Sequence, residues 1–167
     1  MKHSAEQVTE ELRACGTAQN RKIYERHGVR SQLFGVSYAL LKGFERRLRG
    51  EHELALELWA TGVHDARILA SQIADGERLT AADLDRWLTA VDNHVLANAL
   101  ATVAARTPHA ARCATRWRAA KGEWPAATGW EVLACLAPSL AQGELEAVLV
   151  EIEAKIRDSA APSPVRL

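Results

Sequence analysis

The strongest constraint on this chain is a helical apolar period that is broken, again and again, by a capping residue or a glycine. Val8, Leu12 and Cys15 share one side of a helix, and Gly16 is a natural stop. Thr17 then caps a second helix running to about His27, closed by Gly28, and residues 28–36 read as a linker. Ser37 caps the next helix, with Leu40, Leu41, Phe44 and Leu48 on its apolar face and Gly50 at its end. Leu54, Ala55, Leu58 and Trp59 mark another, stopping at Thr61-Gly62, and His64 to Ala74 follows with Ile68, Leu69 and Ile73. Thr80 and Asp83 have the spacing of a capping box ahead of Leu84, Trp87 and Leu88. Asp92 is placed to cap the helix carrying Val95, Leu96, Ala99, Leu100 and Val103. Pro108 suits the first turn of a helix containing Cys113 and Trp117 that ends at Lys121-Gly122. Glu123 to Leu136 and about Ser139 to Arg157 complete the series, and residues 159–167 read as a frayed tail.

No window alternates as a strand does. About ten helices joined by short connections predict an all-α chain, and the pattern alone fits an α-solenoid or an irregular bundle equally well. The length, 167 residues with 48% hydrophobic residues, suits one packed domain, expected over residues 1–158. No apolar run is long enough to cross a membrane, and the start of the chain lacks a signal-peptide core, so a cytoplasmic location is expected. Cys15, Cys113 and Cys135 have no zinc spacing and read as reduced, mostly buried thiols; no metal site is expected. Helical spacing makes most of Trp59, Trp87, Trp117, Trp124 and Trp130 packing residues.

Net charge is zero, which by itself does not favour a nucleic-acid binder. Its distribution is uneven. Residues 1–50 hold ten Lys/Arg against five Asp/Glu, residues 51–105 three against nine, residues 106–122 five against none, and residues 123–167 three against seven. Alternating blocks of this kind are able to build one basic face from separate segments, although solvated helix faces give the same pattern. Candidate phosphate contacts are Arg21, Lys22, Arg26 and Arg30, then Lys42, Arg46, Arg47 and Arg49, then Arg112, Arg116, Arg118 and Lys121, with Arg46, Arg47, Arg49, Arg112, Arg116, Arg118 and Lys121 forming the main DNA-binding set.

Three segments carry a family resemblance: Phe34-Gly35-Val36-Ser37 followed by Leu40-Leu41-Lys42; His52-Glu53-Leu54-Ala55-Leu56-Glu57-Leu58-Trp59 with Asp65-Ala66-Arg67-Ile68-Leu69-Ala70-Ser71; and Asp85-Arg86-Trp87-Leu88 running on to Asp92-Asn93-His94. In order and spacing they resemble the AlkD-like alkylpurine DNA glycosylases over roughly residues 25–137. The resemblance implies a HEAT-like α-solenoid that holds duplex DNA on a basic face and excises alkylated purines, with no metal or organic cofactor.

Cleavage of an N-glycosidic bond builds positive charge on the sugar, which a carboxylate and an aromatic ring stabilise. The resemblance implies a Trp and an Asp four residues apart just after Asp92, on one helical face. In this chain His94 stands at the Trp position, Val95 at a first carboxylate position and Asn98 at the catalytic Asp position, while Ala126 and Ala127 stand where a basic residue is expected. Asn has the shape of Asp without its charge. Asp92 is the carboxylate placed to substitute, unless it only caps its helix, and His94 and Asn98 share a face on which they are able to bond each other or a ligand. Arg67, next to Asp65 in the matched block, reads as a structural ion pair rather than a phosphate contact.

Three functions stay open at this level. One is a catalytically impaired relative that retains non-sequence-specific binding of double-stranded DNA. The second is an active glycosylase with a relocated carboxylate. The third is a protein-interaction solenoid with no nucleic-acid role. The chain lacks the final repeat that the resemblance implies, which suggests a partner or self-association through the solenoid end.

Overall fold

The computed structural model describes residues 3–160, the side chains of 158–160 excepted. Its contacts fall into two compact units, one reaching Cys135 and one starting at Leu136, where the sequence led us to expect one domain over 1–158. Among the described residues there are ten α-helices and no strand, as the periodicity requires.

The first unit is built from α1 (Ala5–Cys15), α2 (Ala18–Arg26), α3 (Tyr38–Leu48), α4 (His52–Ala60), α5 (His64–Ile73), α6 (Ala81–Leu88), α7 (His94–Ala104), α8 (Ala110–Arg118) and α9 (Glu123–Leu136). Four of these starts are set by the capping residues that the sequence marks. Ser4, Thr17, Ser37 and Thr80 each accept a hydrogen bond from the backbone N–H three residues on, and Thr80 forms a full capping box with Asp83. The α7 cap differs from expectation. Asn93, not Asp92, has the extended backbone, and its side chain accepts from the N–H groups of Val95 and Leu96. Pro108 also lies outside α8, one residue before the cap at His109.

Helix α4 packs mainly on α5, α5 packs on both α3 and α7, and α6 packs on α7. This places α3, α5 and α7 side by side as one layer. The core between them is aliphatic, with Leu48, Leu58, Leu69, Ile73, Leu84, Leu96 and Leu100 fully enclosed. Trp59 of α4 and Trp87 of α6 stack face to face, their ring centroids 4.2 Å apart and 2° from parallel. Trp117 is buried as well, while Trp124 and Trp130 are half-buried. Gly129 lets α9 lie directly against the end of α8, because a Cβ there would collide with the backbone of Trp117 and Arg118. Of the cysteines only Cys113 is buried, its thiol pushed up to about 11 by burial; Cys15 is half-buried, and Cys135 is exposed, against expectation.

The linker 28–36 is fastened by a buried carboxylate. Asp65 Oδ2 accepts the Phe34 N–H at 2.6 Å and Oδ1 accepts the Val36 N–H at 2.7 Å, while the His64 N–H donates to Gln32 O at 2.7 Å. Between the two bonds to Asp65, Gly35 has φ +80°, and a Cβ there would come within 2.6 Å of Thr17 O and 2.7 Å of Arg21 N. Only glycine fits this left-handed turn against α2. Asp65 is therefore not the ionic partner of Arg67 that adjacency suggested. Arg67 instead donates to the carbonyls of Trp59 and Ala90 and lies over the Trp59 ring.

The second unit holds a 3-10 turn at Ala137–Ser139 and α10 (Gln142–Ala160). The Ala141 N–H donates to Glu144 Oε2 at 2.8 Å at the start of α10. The frayed tail expected over 159–167 lies outside the described residues, except that α10 includes 159 and 160.

Two charge-assisted bonds to buried N–H groups are worth about 1.5–3 kcal/mol each. Asp65→Ala is expected to lower the unfolding free energy by about 3–5 kcal/mol in urea titrations. Asp65→Asn, which keeps one acceptor oxygen, is expected to fall between that variant and the original chain.

Candidate nucleic-acid interface

Two adjoining depressions run along the α3, α5 and α7 layer. The larger, about 290 Å³, lies where the N-terminal ends of these helices meet α2 and the linker. Its apolar walls include Val29, Val36, Leu41 and Ile68, and Tyr24, Tyr38, His64 and His94 bring the polar atoms. The second, about 220 Å³, shares Tyr38, Ile68 and Val95 with the first and adds Glu45, Asn98, Thr102 and Arg106. Arg106 continues with Arg49 into a shallow depression beyond the C-terminal ends of α3 and α5.

The structure therefore places His94, Val95 and Asn98 on one α7 face above this groove. His94 and Asn98 are both exposed, but they do not bond each other. The Asn98 amide donates to Glu131 Oε2 of α9 at 3.4 Å. Asp92 is half-buried and accepts the Asn93 amide at 2.6 Å. Its carboxylate also raises the pKa values of His64 and Arg67, although burial outweighs it at both and holds them below their ordinary values. Glu45, at the groove edge, lies 3.7 Å from Arg49. Each carboxylate near the α7 face thus already has a polar or cationic neighbour.

The basic set separates into several environments. Arg46 and Lys121 are exposed, and among the described residues neither makes an ion pair. Arg47 pairs with Glu11 of α1 and covers the Phe44 ring. Arg112 and Arg116 on α8 converge on Asp85 of α6, at 3.2 and 2.5 Å, and Asp85 also accepts the Trp117 indole N–H at 3.0 Å. Burial works against the charged Asp85 carboxylate, but the bonds from Trp117 and Arg116 and the charge of Arg112 outweigh it and hold the carboxyl below its ordinary value. Arg118 lies 5.7 Å from the centre of the Trp130 ring. Arg112 and Arg116 accordingly join α6 to α8, Arg118 faces α9, and none of the three is among the residues that line the groove. Ala126 and Ala127 are half-buried on α9. Arg106 does line the groove, with one guanidinium N–H donated to Ser71 O at 3.2 Å. The sequence signal for it was its place at the head of the basic block 106–122. Glu131 and His64 had no comparable signal.

His64 and Asp65 are the most confined polar residues in the groove. The His64 side chain is nearly sealed, with 3% of the residue exposed, and Nδ1 has no hydrogen-bond partner. Burial lowers its pKa from the ordinary 6.5, against the pull of Asp65 and Asp92 and with the help of Arg67 and His94. Among the described residues no group of three His, Cys, Asp or Glu side chains is arranged to hold a metal, and no helix is long and apolar enough to cross a membrane.

The all-helical architecture is of the HEAT-like repeat DNA glycosylase type, as the comparisons show. The family described as DNA alkylation repair enzyme matches residues 8–161, so the chain belongs to that family. A solved structure, described as a new family of proteins related to the HEAT-like repeat DNA glycosylases with affinity for branched DNA structures, superposes with a TM-score of 0.86 at 26% identity, covering 96% of this chain and 70% of that one. No curated protein matches in sequence.

A histidine whose pKa is lowered on folding binds fewer protons in the native state than in the unfolded one. Its stabilising effect is complete above its unfolded value near 6.5 and is lost as pH falls through the lower folded value. The urea midpoint should therefore drop between pH 7 and pH 5, and His64→Gln should flatten that decline.

Proposed function

We propose that this protein binds branched DNA through backbone contacts along the α3–α5–α7 groove and does not cleave glycosidic bonds. The observation that carries this reading is the α7 face. Where the family resemblance calls for a Trp and two carboxylates, the face offers His94, Val95 and Asn98, and the Asn98 amide is occupied by Glu131. A neutral amide gives little stabilisation to a developing sugar cation, and groups that stabilise such charge are typically worth ~3–4 kcal/mol each. Asp92, the candidate substitute, is bonded to Asn93.

Binding is supported by the structural neighbour, which is described as having affinity for branched DNA. It is supported also by the cations at the groove. Arg106 lines one end, and α2, whose Ile23 and His27 line the other, also carries the exposed Lys22 and Arg26. Such contacts give affinity with little sequence preference and a steep dependence on salt. Arg112 and Arg116 sit apart from the groove, and their pairing with Asp85 makes them secondary contacts at most. A second reading, an active glycosylase, has one point in its favour: Glu131 puts a carboxylate one side chain away from the Asn98 position.

Fluorescence anisotropy with a labelled four-way junction and a linear duplex of equal length tests the binding. The junction is expected to bind more tightly, with an affinity that falls linearly on logarithmic axes as salt rises. Arg106→Ala should weaken binding several-fold and reduce the salt slope by about one. Equal affinity for junction and duplex would overturn the branched-DNA reading. On methylated DNA no release of 7-methylguanine or 3-methyladenine is expected, and Asn98→Asp is the substitution expected to restore some. Release by the unaltered chain that disappears in Glu131→Gln or Asp92→Asn would establish the glycosylase reading instead.

A further inference from the structure

Helix α3 carries apolar surface beyond its core face. Leu41, Phe44 and Leu48 are buried, but Leu40 is 46% exposed. With Gly43, Phe44 and Arg47 it lines an open depression of about 200 Å³. These four residues lie at i, i+3, i+4 and i+7, so the depression is a stripe along the helix. Gly43 leaves the middle of that stripe bare, since a Cβ there would meet nothing within 4 Å. A glycine inside a helix weakens it, and here neither a positive φ nor a close neighbour calls for one. What it provides is room beside Leu40 and Phe44. The flank of the stripe is basic: Arg46, three residues after Gly43, is exposed, with Lys42 and Arg49 exposed behind it.

Helix α10 has the complementary surface. Leu145, Leu149, Ile152 and Ile156 recur at i, i+4, i+7 and i+11, one apolar stripe. Leu149 is 60% and Ile156 61% exposed, and Leu145 is exposed as well. Contiguous exposed aliphatic surface rimmed by charge marks a contact surface. The rim here is acidic, with Glu146 and Glu153 in the row beside the stripe. Over its length α10 carries five acids and two cations, whereas α3 carries three cations and one acid. The two patterns also match in register. Counted as heptads from their stripes, Arg46 falls at a g position and Glu146 and Glu153 at e positions, which face each other when two helices pack in parallel.

We propose that α10 of one copy of this chain packs its Leu145, Leu149 and Ile156 stripe into the α3 depression of a second copy, with Lys42 and Arg46 against Glu146 and Glu153. The contact needs no DNA and does not rest on the branched-DNA reading. Two different surfaces meet, so the association is head-to-tail. One helix in one open depression is a small contact, of the weak and reversible class below ~1,200 Å².

Sedimentation velocity on the whole chain without DNA, from about 1 µM to about 1 mM, covers the weak range of affinity. The mean sedimentation coefficient is expected to rise with concentration, and to rise less as salt is added. Leu149→Asp should abolish the rise. So should Gly43→Glu, which sets a carboxylate in open space on α3, and circular dichroism checks that both variants fold. A chain with Lys42→Glu and Arg46→Glu, and another with Glu146→Lys and Glu153→Lys, are each expected to stay monomeric. Mixed in equal amounts, the two should associate again, because the acidic α3 of one then meets the basic α10 of the other. A single monomer at every concentration overturns the proposal. Association that Leu149→Asp abolishes but Gly43→Glu leaves intact assigns the contact to two α10 helices and overturns the α3 site. A mixture no heavier than its two components overturns the charge-matched pairing.

Discussion

The buried Asp65 carboxylate holds the groove together. It sits near the start of α5 and reaches 29 and 31 residues back along the chain to the N–H groups of Val36 and Phe34. From the other side α2 grips the same segment. Thr17 N–H and the Asn20 amide donate to Gly35 O, Arg21 to Phe34 O, and Tyr24 to Val36 O. The linker is thus a strap between α2 and α5. Without it, α2 would have little to hold it, since none of its residues is buried. The cavity wall supplied by Tyr24, Val29 and Val36 depends on that strap.

This dependence explains which parts were legible in the sequence. Helix starts at Ser4, Thr17, Ser37 and Thr80 are local events, decided within four residues by a hydroxyl and a following N–H. Apolar faces are local too, and the stripes through Leu41, Phe44 and Leu48 or Leu96, Leu100 and Val103 are buried as periodicity requires. Where two neighbours had equal claims, locality failed. Asp92 and Asn93 both cap well, and it is Asn93 whose side chain accepts from the Val95 and Leu96 N–H groups. Asp65 and Arg67 are adjacent and opposite in charge, yet each is used by a distant partner, which no spacing rule reveals.

The charge pattern shows the same limit. A basic block at 106–122 is a fact of the sequence, but its function depends on where the acids go. Asp85 lies 27 and 31 residues before Arg112 and Arg116 and draws both onto the α6–α8 side. Exposed ion pairs of this kind contribute little stability, typically ~0–1 kcal/mol. Their effect is to lower the positive potential that α8 presents. Arg106, at the head of the same block, escapes because it is bonded to a carbonyl rather than to a carboxylate, and its full charge remains at the groove.

The groove has two chemistries side by side. Beside Asn98 and Arg106 it is polar and partly cationic, suited to a sugar-phosphate backbone. Beside His64 it is mainly apolar, with the Asp65 carboxylate in its lining. Chemistry at a glycosidic carbon needs a carboxylate held close and unpaired at the moment when charge develops. On the α7 face the nearest carboxylates, Asp92 and Glu131, are each already engaged by an amide. This is the physical ground for proposing binding rather than base removal. That proposal rests on one substitutable feature, the amide at position 98, rather than on any change in the helical scaffold that carries it.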